Sequence, residues 1–399
     1  NGAADQHQLD GYGWVLDAAW LLVSAGHRLY PETWRAMRGF ADQVARRWRE
    51  PDAGIWEERG EATHHVHSKL MAWLALDRAL LERRIEAAAR RRSALGLGGP
   101  DTTGYRLVHA EGDALPGLVV DRFDGALAFQ LGTIGMKRRE AAILEALERV
   151  GGGATLIDRT SPAVARLEGF VAGGGVVRGD PSVRELRCRE GGIELRIPLE
   201  LGQNTGFYFD QRPLRARVEE LATGRRVLDA FAFVGAVGLR AARGGATEVI
   251  AVERNALALE VGAELARLNG LSDRLRFVHG DARETLAQAG RRGGYDLVVC
   301  DPPKLAPNAA ARRRAESYLR ELAATACRAT RPGGMLVLSS CSAALGIEEV
   351  TRAVATGGAE VGVRPVVVER LFQGPDHPVP AAFPEGLYLS TVIAELPPP

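Results

Sequence analysis

The second half of the sequence predicts an α/β fold built on a mostly parallel, doubly wound sheet. Short apolar runs such as 295–300 and 335–340 have the length and composition of buried parallel strands. Strand-like and helix-like stretches alternate from residue 201 to the end of the chain. The motif Asp301-Pro302-Pro303-Lys304 follows the first of these runs, and Cys341 follows the second. Ligands bind at the carboxyl edge of such sheets, so these residues predict a cleft containing a carboxylate and a thiol.

Three apolar runs further upstream, 226–231, 248–252 and 275–279, predict strands that end beside a bound nucleotide. Small residues in the turn after the first run would let the backbone approach a ligand closely. Glu253, at the tip of the second, suits a ribose diol, and Asp281, after the third, suits an adenine amino group. Each acidic residue alone is equally consistent with a helix cap or turn. The candidate cofactor residues are Asp229, Phe231, Gly235, Gly238, Glu253, Arg254, Asp281, Ala282 and Asp301.

The segment 202–212, Gly-Gln-Asn-Thr-Gly-Phe-Tyr-Phe-Asp-Gln-Arg, lies just before the first of these strands. Together with the motifs at the strand ends, it resembles the bacterial 23S rRNA cytosine-C5 methyltransferase family. The resemblance extends from about Leu81 to the C-terminus and includes the run 105–123. It implies a Rossmann-like class I methyltransferase domain with a seven-stranded sheet, S-adenosylmethionine as cofactor, 23S rRNA as partner and 5-methylcytosine as product.

The chemistry of that reaction assigns a role to each catalytic candidate. Carbon 5 of cytosine is a weak nucleophile until a thiolate attacks C6, and Cys341 is the candidate nucleophile. Asp301 would protonate or hydrogen-bond N3, and Lys304 would lower the thiol pKa or contact phosphate. The sequence does not identify the base that removes the C5 proton, and a cysteine at a strand end is often simply part of the core. The candidate substrate residues are Pro302, Pro303, Gln203, Tyr208, Asp210, Gln211 and Arg212.

The N-terminal sequence predicts helices instead of a small β-barrel. Apolar residues recur at three- and four-residue spacing over 14–23 and 33–48. Segments 8–18, 51–60 and 67–73 resemble parts of a family 15 glycoside hydrolase, in which Glu57 would be the general acid. Glycoside hydrolysis requires a second carboxylate, which this segment does not supply. We therefore expect residues 1–80 to be a hydrolase-like fragment without glycosidase activity.

These patterns predict three domains and leave several functions open. The domains are the helical fragment at 1–80, a linker helix with a small α+β central domain at 81–200, and the methyltransferase domain at 201–399. Methylation of uracil C5 or of guanine remains an alternative to methylation of cytosine C5. A catalytically impaired chimera that carries a non-functional glycosidase fragment is a third possibility.

Composition constrains the location and the partners. No apolar run is long enough to span a bilayer and no signal peptide is evident, so we expect a cytoplasmic protein. The four cysteines form no Cys-x-x-Cys pair, so neither a disulfide framework nor a metal site is expected. A net charge of +1 leaves RNA binding to local patches. The candidate patches, each equally consistent with a solvated helix face, are Arg83, Arg84, Arg90, Arg91 and Arg92, and Arg312, Arg313 and Arg314.

Overall fold

A computed structural model describes residues 9–24, 30–50, 66–201, 205–305 and 311–398. The chain divides into two compact units, Asn1–Arg90 with Ile134–Gly152, and Arg91–Thr133 with Gly153–Pro399. The segment 134–152, predicted in the central domain, thus groups with the N-terminal helices, and the three-domain division stays a prediction. Among the described helices, none has the length and apolar composition needed to cross a membrane.

The first unit is helical, as the N-terminal periodicity predicts. Pro31 begins the second helix, where its missing N–H has no intrahelical partner to lose. Val44 and Ile85 are fully buried, and Arg139 donates two hydrogen bonds to the Asp77 carboxylate, at 2.7 and 3.0 Å. The helices are α1 (Leu9–Ser24), α2 (Pro31–Arg47), α3 (Val66–Ala94), α4 (Ile134–Arg138) and α5 (Glu140–Gly151).

The second unit begins with a five-stranded sheet and a separate hairpin. The sheet has the order β1-β2-β3-β4-β5 and is antiparallel except between β3 and β4. Gly191 and Gly192, both with positive φ, form the turn of the predicted hairpin β6–β7. The elements are β1 (Tyr105–His109), β2 (Leu118–Phe123), β3 (Ala126–Leu131), β4 (Thr155–Asp158), α6 (Pro162–Leu167), β5 (Gly175–Arg178), β6 (Glu185–Glu190) and β7 (Ile193–Pro198).

The remainder of the second unit contains the predicted seven-stranded sheet, in the order β10-β9-β8-β11-β12-β14-β13. The first five of these strands are parallel, whereas β14 is antiparallel to both of its neighbours. The elements are α7 (Arg212–Leu221), β8 (Arg226–Ala230), α8 (Ala236–Arg243), β9 (Glu248–Glu253), α9 (Ala256–Leu268), β10 (Leu275–His279), α10 (Ala282–Arg291), β11 (Tyr295–Cys300), α11 (Arg312–Ala329), β12 (Thr330–Ser340), α12 (Ile347–Glu360), β13 (Val366–Phe372) and β14 (Ser390–Glu395).

Helices cover both faces of this sheet because successive strand residues point to opposite sides. On β8, Val227 packs in one core with Leu239 of α8, while Leu228 packs in the other core with Leu286 of α10. The first core also includes residues of α7 and α9, and the second includes residues of α11 and α12. The sheet is therefore buried on both faces, and its carboxyl edge is where polar side chains gather.

Buried ion pairs join the central sheet and hairpin to the seven-stranded sheet within the second unit. Arg215 of α7 donates to both oxygens of Glu190 on β6, at 2.6 and 2.7 Å, and both side chains are almost fully buried. Arg92 is also fully buried and donates to Asp113 and to the carbonyl of Asp376. The prediction that Arg92 contacts RNA phosphate is therefore wrong, because its guanidinium is enclosed by protein acceptors.

Candidate active site

The turn after β8 has an unusual backbone. Phe231, Phe233 and Gly235 all adopt left-handed conformations, with φ of 67°, 52° and 73°. Such a conformation is strained for phenylalanine, and strain of this kind concentrates at functional sites. A side chain at Gly235 would also come within 2.5 Å of the Phe277 ring. Only glycine fits here, because the Phe277 ring occupies the space that a side chain would need.

Asp229 lies on β8 beneath this turn. Its carboxylate accepts a hydrogen bond from the Gly238 N–H of α8 at 2.9 Å, so it fixes the turn to the strand. The side chain is almost fully buried, and burial raises the pKa of Asp229 to about 7, with Asp301 and Glu253 as further causes. A buried carboxyl group of this kind is a recognised feature of functional sites.

Glu253 and Asp281 lie at neighbouring strand ends, as predicted from sequence. Glu253 Oε2 accepts from the Phe233 N–H at 2.9 Å, and its Oε1 accepts from the N–H groups of Arg254 and Asn255 at 2.8 and 3.0 Å. Asp281 Oδ1 accepts from two N–H groups of α10, while Oδ2 lies 3.3 Å from the Arg254 guanidinium. Both carboxylates therefore order the local backbone.

These residues also fit a nucleoside-containing cofactor. A carboxylate has about four lone-pair positions, and backbone N–H groups occupy three of those on Glu253. One position, on Oε2, remains for a ribose hydroxyl, whereas the predicted contact with a ribose diol would use two. Asp281 has a further lone pair on Oδ2, the oxygen beside the Arg254 guanidinium, that could accept from an amino group. Ala282 is the first residue of α10, and the first N–H groups of a helix have no intrahelical partners. The donor and acceptor set matches ribose and adenine, although these contacts remain predictions for this chain.

Asp301 and Cys341 follow adjacent parallel strands. Cys300, the last residue of β11, pairs with Leu338, two residues before the end of β12. Asp301 is half-buried, and burial followed by the charge of Asp210 raises its pKa to about 7. Burial, then Asp301 and Asp210, raise the pKa of the Cys341 thiol to about 11, and the lowering effect of Lys304 is smaller. The predicted effect of Lys304 thus has the right direction but does not dominate.

Among the four cysteines, Cys341 is the one that is only partly buried; Cys188, Cys300 and Cys327 are all enclosed in the core. Burial accordingly raises the pKa of the Cys300 thiol. A reactive thiol must be accessible to substrate. Cys341 is therefore the cysteine whose exposure suits chemistry.

The loop after β11 is tied to the loop that contains Cys341. The Leu305 N–H donates to the Ser342 hydroxyl at 3.1 Å, which joins the two loops directly. Pro302 is buried, whereas Pro303 and Lys304 are exposed. An exposed proline and lysine beside the thiol are available to a substrate, so their predicted substrate roles remain open.

Gln211 connects two carboxylates in the segment 205–212. Its side-chain N–H group donates to Asp301 Oδ2 at 2.8 Å, and its backbone N–H donates to Asp210 Oδ1 at 3.0 Å. The Tyr388 hydroxyl donates to Asp210 Oδ2 at 2.7 Å. Both carboxylates are therefore fixed by donors on neighbouring elements. Tyr388 was not predicted as a site residue, because nothing in its local sequence distinguishes it from other residues at the start of a strand.

Tyr208 stands between the cofactor residues and the thiol. Burial raises its pKa to about 12, and the charges of Asp210, Cys341, Asp301 and Glu253 act in the same direction. Its ring packs edge-on against Phe233 at 5.6 Å between centroids. Members of both predicted groups, Glu253 of the cofactor set and Asp301 and Cys341 of the catalytic set, therefore lie near this tyrosine.

Two predicted substrate residues are not placed in the open cleft. Arg212 lies 3.0 Å from the Gly104 carbonyl, 3.0 Å from Asp376 and 3.4 Å from Glu190, so its contacts are within the protein. Its role toward substrate remains a prediction. Gln203 falls outside the described residues, as does Glu57. Within the described ranges, no group of three or more His, Cys, Asp or Glu residues is arranged to hold a metal ion.

The sheet topology and the acidic residues at its carboxyl edge are those of a Rossmann-like, nucleotide-binding fold. A model of the S-adenosylmethionine-dependent methyltransferase family matches residues 176–387. Among solved structures, that of SMU.776, a methyltransferase complexed with SAH, superimposes with a TM-score of 0.70 at 19% identity. The superposition covers 80% of this chain and 81% of the other. The seven-stranded class I methyltransferase fold predicted from sequence is thus confirmed.

Curated relatives narrow the assignment. Ribosomal RNA large subunit methyltransferase I of Shewanella amazonensis is 33% identical over 350 residues, which cover 86% of this chain and 88% of that protein. The protein of the same name from Erwinia tasmaniensis is 32% identical, with 84% and 86% covered. The chain belongs to the S-adenosylmethionine-dependent methyltransferase family, in the group typified by these relatives, and S-adenosylmethionine is its cofactor.

A second family model, glycosyl hydrolases family 15, matches residues 1–94. This agrees with the predicted resemblance of the N-terminal segment. The match covers less than a quarter of the chain, and the predicted general acid at position 57 lies outside the described residues. The match therefore supports no glycosidase function for this chain.

Proposed function

We propose that this protein transfers a methyl group from S-adenosylmethionine to C5 of a cytosine in 23S rRNA. The names of the relatives support a ribosomal RNA substrate, and such a substrate fits the predicted cytoplasmic location. One observation supports carbon 5 as the methylated atom. A partly exposed thiol, Cys341, lies beside the carboxyl group of Asp301 at the ends of adjacent strands.

The thiol is the group that C5 methylation requires. Attack of Cys341 Sγ on C6 shifts the C5=C6 electrons toward C4 and N3, which makes C5 nucleophilic. S-adenosylmethionine supplies an electrophilic methyl group, to which C5 then bonds. Methylation of a guanine nitrogen needs no covalent step of this kind. The arrangement around Cys341 therefore favours a pyrimidine target.

Asp301 can supply the base that the protonated thiol of Cys341 needs. With a pKa raised by burial to about 11, Cys341 is protonated at neutral pH and needs a base. Asp301, whose pKa is about 7, would take the proton from Sγ and pass it to N3 of the ring as negative charge develops there. One proton thus moves from sulfur to nitrogen through a carboxyl group that Gln211 holds in place.

Product analysis tests this proposal directly. Purified protein, methyl-labelled S-adenosylmethionine and protein-free bacterial 23S rRNA are incubated, and the labelled nucleoside is identified. We expect 5-methylcytidine. RNA containing 5-fluorocytidine should in addition form a complex with the protein that survives denaturing electrophoresis, because fluorine at C5 cannot leave as a proton. That complex should require both the cofactor and C5 chemistry.

The alternatives give different products. Labelled 5-methyluridine or a methylated guanosine would overturn the assignment of cytosine. Bound cofactor with no methyl transfer to any form of the RNA would favour the impaired chimera. Non-fluorinated RNA of the same sequence serves as the control for complex formation.

The proton path also predicts the pH dependence of the reaction. Transfer of the thiol proton requires ionised Asp301, so the rate should rise about tenfold per pH unit below about 7 and level off above it. In Asp301→Asn the amide cannot accept the proton, and we expect single-turnover rates about 10²- to 10⁴-fold lower. The remaining rate should continue to rise beyond pH 8, as thiolate forms without help.

Asp273→Asn is the matched control for this prediction, because Asp273 is exposed on the loop before β10. It should keep the wild-type rate and pH profile. A wild-type profile that keeps rising above pH 8, or an Asp301→Asn variant that still levels off near pH 7, would show that another group accepts the thiol proton.

A further inference from the structure

Methylation at C5 leaves one chemical requirement that the residues above do not meet. Once the methyl group is attached, C5 carries both a methyl group and a hydrogen, and C6 remains bonded to sulfur. A base must remove the hydrogen so that the C5=C6 bond re-forms and the thiolate departs. We propose that Asp210 is this base. The inference rests on the proposed function and extends it to the last chemical step.

The order of strands in the sheet indicates the side to which the C5 hydrogen of the intermediate would point. The strands that end in the cofactor residues, β8, β9 and β10, lie on one side of β11, whereas β12, which leads to Cys341, lies on the other. A ring held at Asp301, after β11, would receive the methyl group from the first side and sulfur from the second. The remaining C5 hydrogen is then directed toward the Cys341 side of the ring.

Asp210 is the carboxylate best placed on that side. The charges that raise the pKa of Cys341, after burial, are those of Asp301 and Asp210, so both groups lie near the thiol. Asp301 is already assigned to proton transfer at N3 of the ring. Tyr208 also lies near, but its pKa of about 12 keeps it protonated at neutral pH. Asp210 is left as the acceptor, and it is only half-buried.

The contacts of Asp210 suit a positioned acceptor. The Tyr388 hydroxyl donates to Oδ2 at 2.7 Å and the Gln211 backbone N–H donates to Oδ1 at 3.0 Å. The Asp210 carbonyl accepts from the Gly374 N–H at 3.0 Å, which ties its backbone to the loop before β14. Each carboxylate oxygen has a second lone pair. The group is therefore oriented by the protein yet still able to accept a proton.

The step is balanced. Asp210 takes the hydrogen from C5 as a proton, and the electrons of the C–H bond form the C5=C6 bond. The C6–S bond breaks and its electrons return to Cys341 as thiolate. The proton at N3 returns to Asp301. The net products are the methylated base, the demethylated cofactor and one proton, initially on Asp210.

The test is the fate of the covalent intermediate in Asp210→Asn. Removing a negative charge near Cys341 favours the thiolate, so attack and methyl transfer should proceed. Elimination of the Cys341 thiolate from C6 should not proceed. We expect release of 5-methylcytidine to fall by about 10²-fold or more. Ordinary cytidine RNA should accumulate as a methyl-labelled complex with the protein that withstands denaturation, at least several-fold above the wild-type level.

Controls separate this inference from the proposed function. Asp124→Asn, at an exposed turn, should behave as wild type. Asp210→Asn combined with Cys341→Ala should form no complex, and cofactor binding by calorimetry should show that both variants are folded. Rapid product release by Asp210→Asn without a complex would overturn the inference, as would an inactive, folded Asp210→Asn that forms none. Failure of the wild type to make 5-methylcytidine would overturn the proposed function instead.

Discussion

Replacing Cys341 by alanine is expected to abolish methylation while leaving cofactor binding intact. The substitution removes the sulfur that would form the bond to C6, and no other cysteine is exposed among the described residues. Loss of a nucleophile commonly lowers turnover by at least about three orders of magnitude. Single-turnover transfer of labelled methyl groups to 23S rRNA measures the first effect, and calorimetric titration with S-adenosylmethionine measures the second.

Cys327→Ala is the matched control, since Cys327 lies buried on α11 in the core. It makes the same chemical change away from the cleft and should retain activity. Methylation by Cys341→Ala at more than about a tenth of the wild-type rate would exclude the thiol as an obligatory nucleophile. The reaction would then belong to the nitrogen-methylating alternative.

Breaking the buried ion pair between Glu190 and Arg215 should have the largest effect on stability. In Glu190→Gln the guanidinium of Arg215 stays enclosed, with a side chain only 4% exposed, but loses its compensating charge. Removing one partner of such a pair costs about 3–5 kcal/mol of unfolding free energy. Urea denaturation followed by circular dichroism should show the loss as a lower transition midpoint.

Glu185→Gln supplies the comparison on the same hairpin. Glu185 pairs with Arg187, whose side chain is 60% exposed, so the substitution should change stability by no more than about 1 kcal/mol. Replacing both buried partners, as in Glu190→Gln with Arg215→Met, should recover much of the loss because no buried charge remains. Equal destabilisation by Glu185→Gln and Glu190→Gln would contradict the role assigned to the buried pair.

Sequence patterns were most informative where strands are buried on both faces. The predicted run 295–300 coincides with β11, in which residues 297–300 are all buried, because an apolar run bounded by polar residues can occupy few alternative positions. The runs 364–370 and 387–393 predict the last two strands, which begin two to three residues later, at Val366 and Ser390. On the outermost strand, β13, every second residue is exposed, so the apolar pattern that marks strand ends is weaker.

Part of the site could also be predicted, because some of its residues directly follow strands. Asp301 and Cys341 follow strands directly, so the sheet topology alone brings them together. Tyr388 could not be found this way, because it reaches Asp210 across 178 positions of sequence. The left-handed Phe231 and Phe233 were also missed, since aromatic residues carry no sequence signal for that conformation. Contacts between distant segments and strained backbone are properties of the assembled fold.

The position of β14 has a consequence for synthesis of the chain. This strand is the last in sequence, yet it lies between β12 and β13 and pairs with both. During synthesis from the N-terminus, β12 and β13 therefore have no partner on their shared side until residues 390–395 emerge. Tyr388, just before β14, reaches Asp210 at the same stage. A nascent chain that has already formed its cofactor cleft would thus remain catalytically immature until its final strand has been inserted.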